Sequence, residues 1–314
     1  MEDKFSARVA LLLPAYNSAA YLPEMVAQAR QQTVPFAEII CYDDASRDDT
    51  AAVADGLGIR VIRGAENRGA AFARNRLLEA TRCDWVHFHD VDDELSPRFL
   101  EKMVQLLCDP RTAAVCATRK TWDDNSRPTR IERFPRLESE PDLLAFFLTH
   151  FIHLNAFIFP RAFLLQIGAF RDELRLAEDT EFEARAAARG LKCRYLDEAL
   201  VGWRIHPQST TGRVSRQLRW QYDQLYIKRL LECLNARYRR ILGESWLYRA
   251  WWLYYTGQDM SDRRYIDIAR LCGVRHLAGA SMLERLLSHG GGPRTAFFLK
   301  KFWSRLRHGR AGVH

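Results

Sequence analysis

Short apolar runs alternate with helix-like stretches through the first half of this chain, and each run stops at a polar or acidic cluster. Arg8-Val9-Ala10-Leu11-Leu12-Leu13 gives way to Pro14-Ala15-Tyr16-Asn17, as a strand buried on both faces of a parallel sheet does. Ser18 then offers a cap for a helix over about Ala19–Gln32, with Leu22, Met25, Val26 and Ala29 on one side. Ala37–Tyr42 predicts a second strand that ends in Asp43-Asp44-Ala45-Ser46-Arg47-Asp48-Asp49-Thr50, where Ser46 and Asp49 have the spacing of a capping box. Gly58–Ile62 predicts a third strand, a turn at Glu66–Gly69 leads into a helix over Ala70–Ala80, and Trp85–His89 predicts a fourth strand. This alternation specifies an α/β layer on a mainly parallel central sheet flanked by helices.

Ligands in such sheets bind beyond the carboxyl ends of the strands, which is where Asn17, Asp43, Asp44 and Asp90–Asp93 fall. No GxGxxG follows the first strand, and neither GxxxxGKS nor GxxxxGKT occurs, which argues against a dinucleotide oxidoreductase and a P-loop NTPase. The densest cluster is Asp90-Val91-Asp92-Asp93-Glu94. Asp90 and Asp92 are two apart, so at an extended chain end their carboxylates point the same way. Like charges held together need a cation or hydrogen bonds to offset them, and Mg2+ or Mn2+ suits such oxygen pairs. A loop that caps the next helix through Ser96 and Pro97 is the other reading of the same residues. His87 and His89, which alternate just before the cluster, fit hydrogen-bonded positions beneath a covering helix better than metal ligation.

Four strings in order carry a resemblance: Leu13-Pro14-Ala15-Tyr16-Asn17; Asp43-Asp44 through Thr50; Asn67-x-Gly69-x-x-x-Ala73-Arg74-Asn75; and Asp90-Val91-Asp92-Asp93. Together they resemble the signature of family 2 glycosyltransferases with the GT-A (nucleotide-diphospho-sugar transferase-like) fold. The resemblance covers roughly residues 6–120, with further matching blocks to about 212. It implies that Pro14, Tyr16, Asn17, Asp43 and Asp44 line a nucleotide pocket, with Arg74 and Asp90 also at the donor. It implies too that Asp90 and Asp92 hold Mn2+ or Mg2+. Asp93 either joins the metal shell or serves the helix start. The alternation of His87 and His89 departs from the apolar residues usual before this motif.

After a helix to about Leu107, Thr112–Thr118 predicts a strand, residues 119–141 an irregular excursion, Asp142–Phe151 a helix and Ala156–Phe159 another strand. Leu176–Arg185 places acids in the first turn of a helix ending at Gly190, which the helix dipole alone would favour. The block also resembles the family's Glu-Asp motif, which makes Asp179 the expected catalytic base and Glu178 a residue that positions the acceptor or a neighbour. Leu191–Leu196 and Leu200–His206 read as two strands, and the block Trp203–Thr210 resembles an Arg-x-His-x-x-Ser closing motif. By that resemblance His206 completes the metal shell or contacts diphosphate, assisted by Arg204 or Ser209. Gln217-Leu218-Arg219-Trp220 is one residue short of a Gln-x-x-Arg-Trp motif and is taken as chance.

These blocks divide the chain into a transferase domain, 1–212, and a basic, aromatic-rich helical region, 213–314. Within the first, 1–120 is the nucleotide-sugar half and 121–212 the acceptor half. Charge follows the same division: residues 213–314 carry 20 Lys/Arg against 7 Asp/Glu, a net of +13 in a chain of net +8. No nucleic-acid module is visible in that region, and none is expected as a partner. Trp246–Tyr255 is strongly aromatic but too short to span a bilayer. Phe298, Leu299, Phe302, Trp303 and Leu306 share a helical face among Lys300, Lys301, Arg305 and Arg307, which suits either an anionic membrane surface or packing on the domain itself. Seven scattered cysteines and a charged N-terminus without a visible signal peptide predict a cytoplasmic protein, peripheral at the inner face of the plasma membrane if the tail binds lipid.

The expected activity is therefore inverting transfer of a sugar from a nucleotide-diphosphate donor, UDP-linked by resemblance, to a saccharide or lipid-linked hydroxyl, as in bacterial surface-polysaccharide synthesis. A nucleotidyltransferase is disfavoured because Pro14-Ala15-Tyr16-Asn17 stands where it wants a Gly/Arg/Lys-rich loop. A non-catalytic, membrane-associated binding protein on the same scaffold is the remaining alternative.

Overall fold

A computed structural model describes residues 7–123, 128–206, 209, 215–255 and 264–274. In chain order the elements are β1 (Val9–Ala15), α1 (Leu22–Arg30), β2 (Glu38–Asp43), α2 (Thr50–Gly56), β3 (Arg60–Arg63), α3 (Ala70–Ala80), β4 (Trp85–Phe88), β5 (Glu94–Leu95), α4 (Phe99–Met103), β6 (Thr112–Trp122) and β7 (Arg130–Glu132). Then come α5 (Leu143–Phe147), β8 (Phe157–Pro160), α6 (Arg161–Ile167), α7 (Glu178–Ala188) and β9 (Lys192–Ile205), followed by helices Arg216–Cys233, Ala236–Tyr255 and Arg264–Leu271. The chain forms two compact units, one of Met1–Leu143 with Phe151–Tyr226, the other of Leu144–His150 with Ile227–His314.

The first unit is built on one sheet of order β3-β2-β1-β4-β8-β6-β9-β5, with β7 added beside β6. Pairing is parallel through β3-β2-β1-β4 and between β6 and β9, and antiparallel where β8, β7 and β5 join. Leu11, Leu12 and Leu13 are fully buried, so helices cover both faces of β1, as its unbroken apolar run requires. In α1 the buried residues are Leu22, Met25, Val26 and Ala29, the stripe given by the 3.6-residue period.

Several boundaries differ from the sequence-based expectation. No side chain of Ser46 or Asp49 caps α2; Asp48 accepts from the Thr50 amide at 3.0 Å instead, and the Ser46 hydroxyl accepts from Asn17 N at 2.9 Å. The acidic cluster runs into a two-residue strand, β5, which pairs Glu94 with Gly202 and Leu95 with Val201. Backbones approach closely there: a Cβ on Gly202 would stand 3.0 Å from Glu94 Cβ. Glu94 thus serves the sheet edge, with Arg119 at 2.7 Å, and α4 begins only at Phe99. Lys192–Ile205 is one long strand because β6 pairs with it from Thr112 to Trp122, absorbing an irregularity at Cys116–Thr118. The expected excursion after residue 118 is therefore partly sheet.

In the second unit, Gly243 admits close approach of the following helix, since a Cβ there would stand 2.7 Å from both Cys272 Cβ and Val274 Cγ2. The Trp246 and Tyr265 rings meet at 5.4 Å. Among the described residues no helix is long and apolar enough to cross a membrane. The amphipathic segment expected around Phe298–Leu306 lies outside the described residues.

Candidate active site

The ends of β1 and β2 build the first wall. Pro14 closes β1 opposite Tyr42, and Tyr16 beyond it is 41% exposed. Asn17 takes a left-handed turn (φ 51°), which Asn tolerates well, and its Oδ1 accepts from Arg47 N at 2.8 Å. Asp43 accepts from Ser46 N at 3.1 Å. Asp44, almost fully buried, accepts from Arg68 N at 2.9 Å and Gly69 N at 2.6 Å. Both aspartates thus brace loops, and a carboxylate's four lone-pair sites leave Asp44 little capacity beyond that.

The second wall is the cluster after β4. Asp92 Oδ2 lies 2.8 Å from His206 Nε2, and the Tyr21 hydroxyl stands 3.5 Å from Nδ1 of the same ring. Asp93 is buried and accepts from Asn155 Nδ2 at 2.8 Å and Arg204 N at 3.0 Å. Burial, then the charges of Asp92 and Asp90, push its carboxyl well above the ordinary range. Arg204 donates to Asp92 O at 2.7 Å and reaches Glu24 at 3.2 Å. The Ser209 backbone N–H closes a turn onto His206 O at 3.1 Å. His87 and His89 are fully buried beneath the cluster. His87 Nδ1 lies 2.8 Å from Phe157 O and its Nε2 lies 3.1 Å from His89 Nδ1, so this neutral pair (burial lowers His87 to about 4) forms a hydrogen-bonded chain.

The third wall is the start of α7. Ala177 is left-handed (φ 59°), a conformation that costs an ordinary residue about 1–3 kcal/mol, and it delivers Glu178 and Asp179 into the first turn. Arg74, 4% exposed on α3, donates to Glu178 Oε1 at 2.7 Å and to Asp90 Oδ1 at 2.9 Å. Burial would raise Asp90, but the Arg74 guanidinium outweighs it and holds the carboxyl below its ordinary value. Asp179 is not bonded to that guanidinium, whose charge only partly offsets burial and then the Glu178 carboxylate, and these push it up to about 7. That is a suitable value for a group that accepts a proton near neutrality.

Several site residues carry no motif. His153 and Asn155 sit in the loop before β8, and His153 Nδ1 stands 3.8 Å from Asp93 Oδ2. Trp203 stacks near the His153 ring, with centroids 4.9 Å apart. Two polar residues inside Phe151-Ile152-His153-Leu154-Asn155-Ala156 were the available signal. Glu183, one turn beyond Asp179, is 1% exposed, and neither carboxyl oxygen has a hydrogen bond of normal geometry among the described residues.

The groups suit a divalent cation. Ligand atoms of Asp90, Asp93 and His153 lie within 4.8 Å of one another, and His153 Nδ1 is buried without a hydrogen-bond partner among the described residues. Asp92 with His206 offers a second pair with a more open carboxylate, the Asp92 side chain being 28% exposed against 2% for Asp93. Both sets are rich in carboxylate oxygen with an imidazole at the edge, a mixture that Mn2+ accepts readily and Mg2+ less so.

A mainly parallel layer whose strand ends gather Asp43, Asp44, Asp90, Asp92 and Asp93 is the architecture of a nucleotide-sugar transferase. The model of the family "Glycosyl transferase family 2" matches residues 10–168, and the chain belongs to that family. The succinoglycan biosynthesis protein ExoU of Rhizobium meliloti is 31% identical over 248 residues, 73% of this chain and 68% of that protein. Another curated relative is matched over 64% of its own length. Among solved structures, Staphylococcus aureus TarS in complex with UDP-GlcNAc superimposes with a TM-score of 0.62 at 20% identity, covering 83% of this chain and 79% of that one. The mannosyltransferase PcManGT of Pyrobaculum calidifontis, in complex with GDP-Man and Mn2+, gives 0.60 at 20% identity, covering 90% and 79%. These two likenesses show the GT-A fold.

Proposed function

We propose that this chain transfers a sugar, with inversion, from a nucleoside-diphosphate donor to a hydroxyl of a saccharide or lipid-linked acceptor in polysaccharide assembly. The observation that carries the reading is Arg74, buried and bonded at once to Asp90 of the acidic cluster and to Glu178 beside Asp179. One guanidinium thereby ties a carboxylate of the acidic cluster to the neighbour of Asp179. Pro14, Tyr16, Asn17, Asp43 and Asp44 form the nucleotide side, where Tyr16 is free to stack on a base and the braced loops present their amides and hydroxyls. Asp179 takes the proton of the acceptor hydroxyl as that oxygen attacks the anomeric carbon in line. Glu178, held by Arg74, keeps Asp179 oriented and raises its affinity for the proton. Uridine is the expected donor base; the GDP-Man complex of PcManGT makes guanosine the second to try.

Asp90 and Asp92, with His206, would hold the divalent ion, because these two carboxylates are the more open ones while Asp93 is occupied by Asn155 and Arg204. When bound, Mn2+ or Mg2+ supplies Lewis-acid neutralisation of the leaving diphosphate. Arg204 stiffens this side by tying the Asp92 backbone to Glu24. Donor consumption across UDP- and GDP-sugars, with MnCl2, MgCl2 or EDTA, tests the reading, and the anomeric configuration of the product tests inversion. Binding of every donor without turnover under any metal would favour the non-catalytic scaffold. Peripheral membrane attachment through residues 293–314 is tested separately: deleting them should abolish binding to anionic liposomes.

A further inference from the structure

Four arginines come to the candidate active site, and three are engaged by charge or ring. Arg74 is ion-paired with Asp90 and Glu178, Arg204 with Glu24, and the Arg68 guanidinium lies 3.8 Å from the centre of the Phe72 ring. Arg175 differs. Its Nη1 donates to Asn67 Oδ1 at 2.9 Å and its Nη2 to Asn67 O at 3.0 Å. Both acceptors are neutral, and among the described residues no carboxylate stands within ion-pair distance of it. Its stem lies flat on Gly69, where a Cβ would come within 2.8 Å of Arg175 Cδ. The amides of Arg68 and Gly69 are the ones that Asp44 accepts, so the guanidinium rests on the loop that the nucleotide-side aspartate braces. One turn and more into the helix that starts there, Arg74 reaches Asp90. An unopposed guanidinium beside the loop that Asp44 braces is a fork for phosphate oxygens, and two neutral hydrogen bonds are a weak hold on it.

We propose that Arg175 binds the diphosphate of the donor, releasing Asn67 and turning its fork onto phosphate oxygens. The inference rests on the reading of the donor as a nucleoside diphosphate. It makes Arg175 the residue that distinguishes a nucleotide from a nucleoside here, independently of any metal, and it lies three residues before the Glu178-Asp179 pair.

Calorimetry with the full chain against UDP and GDP, and NMR titration with uridine and guanosine, each in MnCl2 and in EDTA, test this. Arg175→Gln should weaken the diphosphate that wild type binds by about 10–100-fold, the range for losing hydrogen bonds to a charged group, and leave the matching nucleoside unchanged. Arg175→Lys, which keeps the charge without the fork, should fall between. Equal weakening of nucleoside and diphosphate in either variant would make Arg175 only a loop brace through Asn67 and overturn the inference. Unchanged diphosphate affinity would overturn it while the donor reading stands. A wild type that binds neither UDP nor GDP removes the donor reading and this inference with it.

Discussion

Arg74 Nη1 lies 2.7 Å from Glu178 Oε1, a bond between residues 104 positions apart, while the same guanidinium holds Asp90 at 2.9 Å. With Arg74 and Glu178 only 5% and 12% exposed in their side chains, neither charge has water to fall back on. Removing one partner of such a pair leaves a buried charge uncompensated.

Arg74→Gln should therefore lower unfolding stability by about 3 kcal/mol, at the low end for a broken buried pair because Asp90 is partly open. Urea denaturation at pH 7 measures it. A change below about 0.5 kcal/mol, the range of ordinary surface substitutions, would mean that the triad is not held as described.

The raised carboxyl of Asp179 has a consequence for stability. In an unfolded chain an aspartate titrates near 3.9, whereas the folded group titrates at about 7. The native state keeps a proton that the unfolded state has lost, so stability falls as pH rises from the lower value through the higher and is flat beyond. Asparagine does not titrate. The Tm of Asp179→Asn minus that of wild type should thus grow between pH 4 and about 7 and then level; a constant difference would place the carboxyl at its ordinary value.

Glu183 is a buried acid one turn beyond Asp179. Burial, then the charge of Asp179, push it well above its ordinary value against a weaker pull from the Ile152 backbone, and neither oxygen has a hydrogen bond of normal geometry among the described residues. Glu183→Leu should stabilise the fold by about 1–3 kcal/mol, the cost of an unsatisfied buried polar group. By the same sign as for Asp179, the gain should be larger at pH 8 than at pH 5 in thermal melts.

The two candidate ligand sets make opposite predictions. If the ion sits on Asp92 and His206, Asp92→Asn and His206→Gln should each abolish Mn2+-dependent donor binding, while His153→Gln leaves Mn2+ affinity within about threefold, less than 1 kcal/mol. Mn2+ titration followed by electron paramagnetic resonance separates them. Loss in His153→Gln alone would move the ion to Asp90, Asp93 and His153.

How much of this was legible beforehand depends on what fixes each residue. Leu11–Leu13 announced a doubly covered strand because burial of consecutive side chains needs an apolar run, and the polar residues that ended each strand marked the edge where the candidate site gathers. Asp90 and Asp92 were visible as acids at such an end, and Asp179 as an acid in the first turn of a helix. Arg74 was not legible as a buried bridge, since its partners lie 16 and 104 residues away and a helix-surface arginine has the same local pattern. Strand β5 was hidden for a like reason: two residues acquire strand geometry only by pairing with Gly202 and Val201. His153 and Arg175 belong to loops whose position is set by packing, so that even the polar break His153 makes in an apolar stretch does not say what it faces.

The central claim, that Asp179 is the base and not part of the donor cradle, is tested most directly by measuring turnover and donor affinity together in Asp179→Asn. Turnover should fall by about 10²–10⁴-fold, the contribution of a general base, with donor affinity unchanged and with loss of the acidic limb near pH 7 in the wild-type rate profile. Retained turnover, or donor affinity lost in step with turnover, would contradict it.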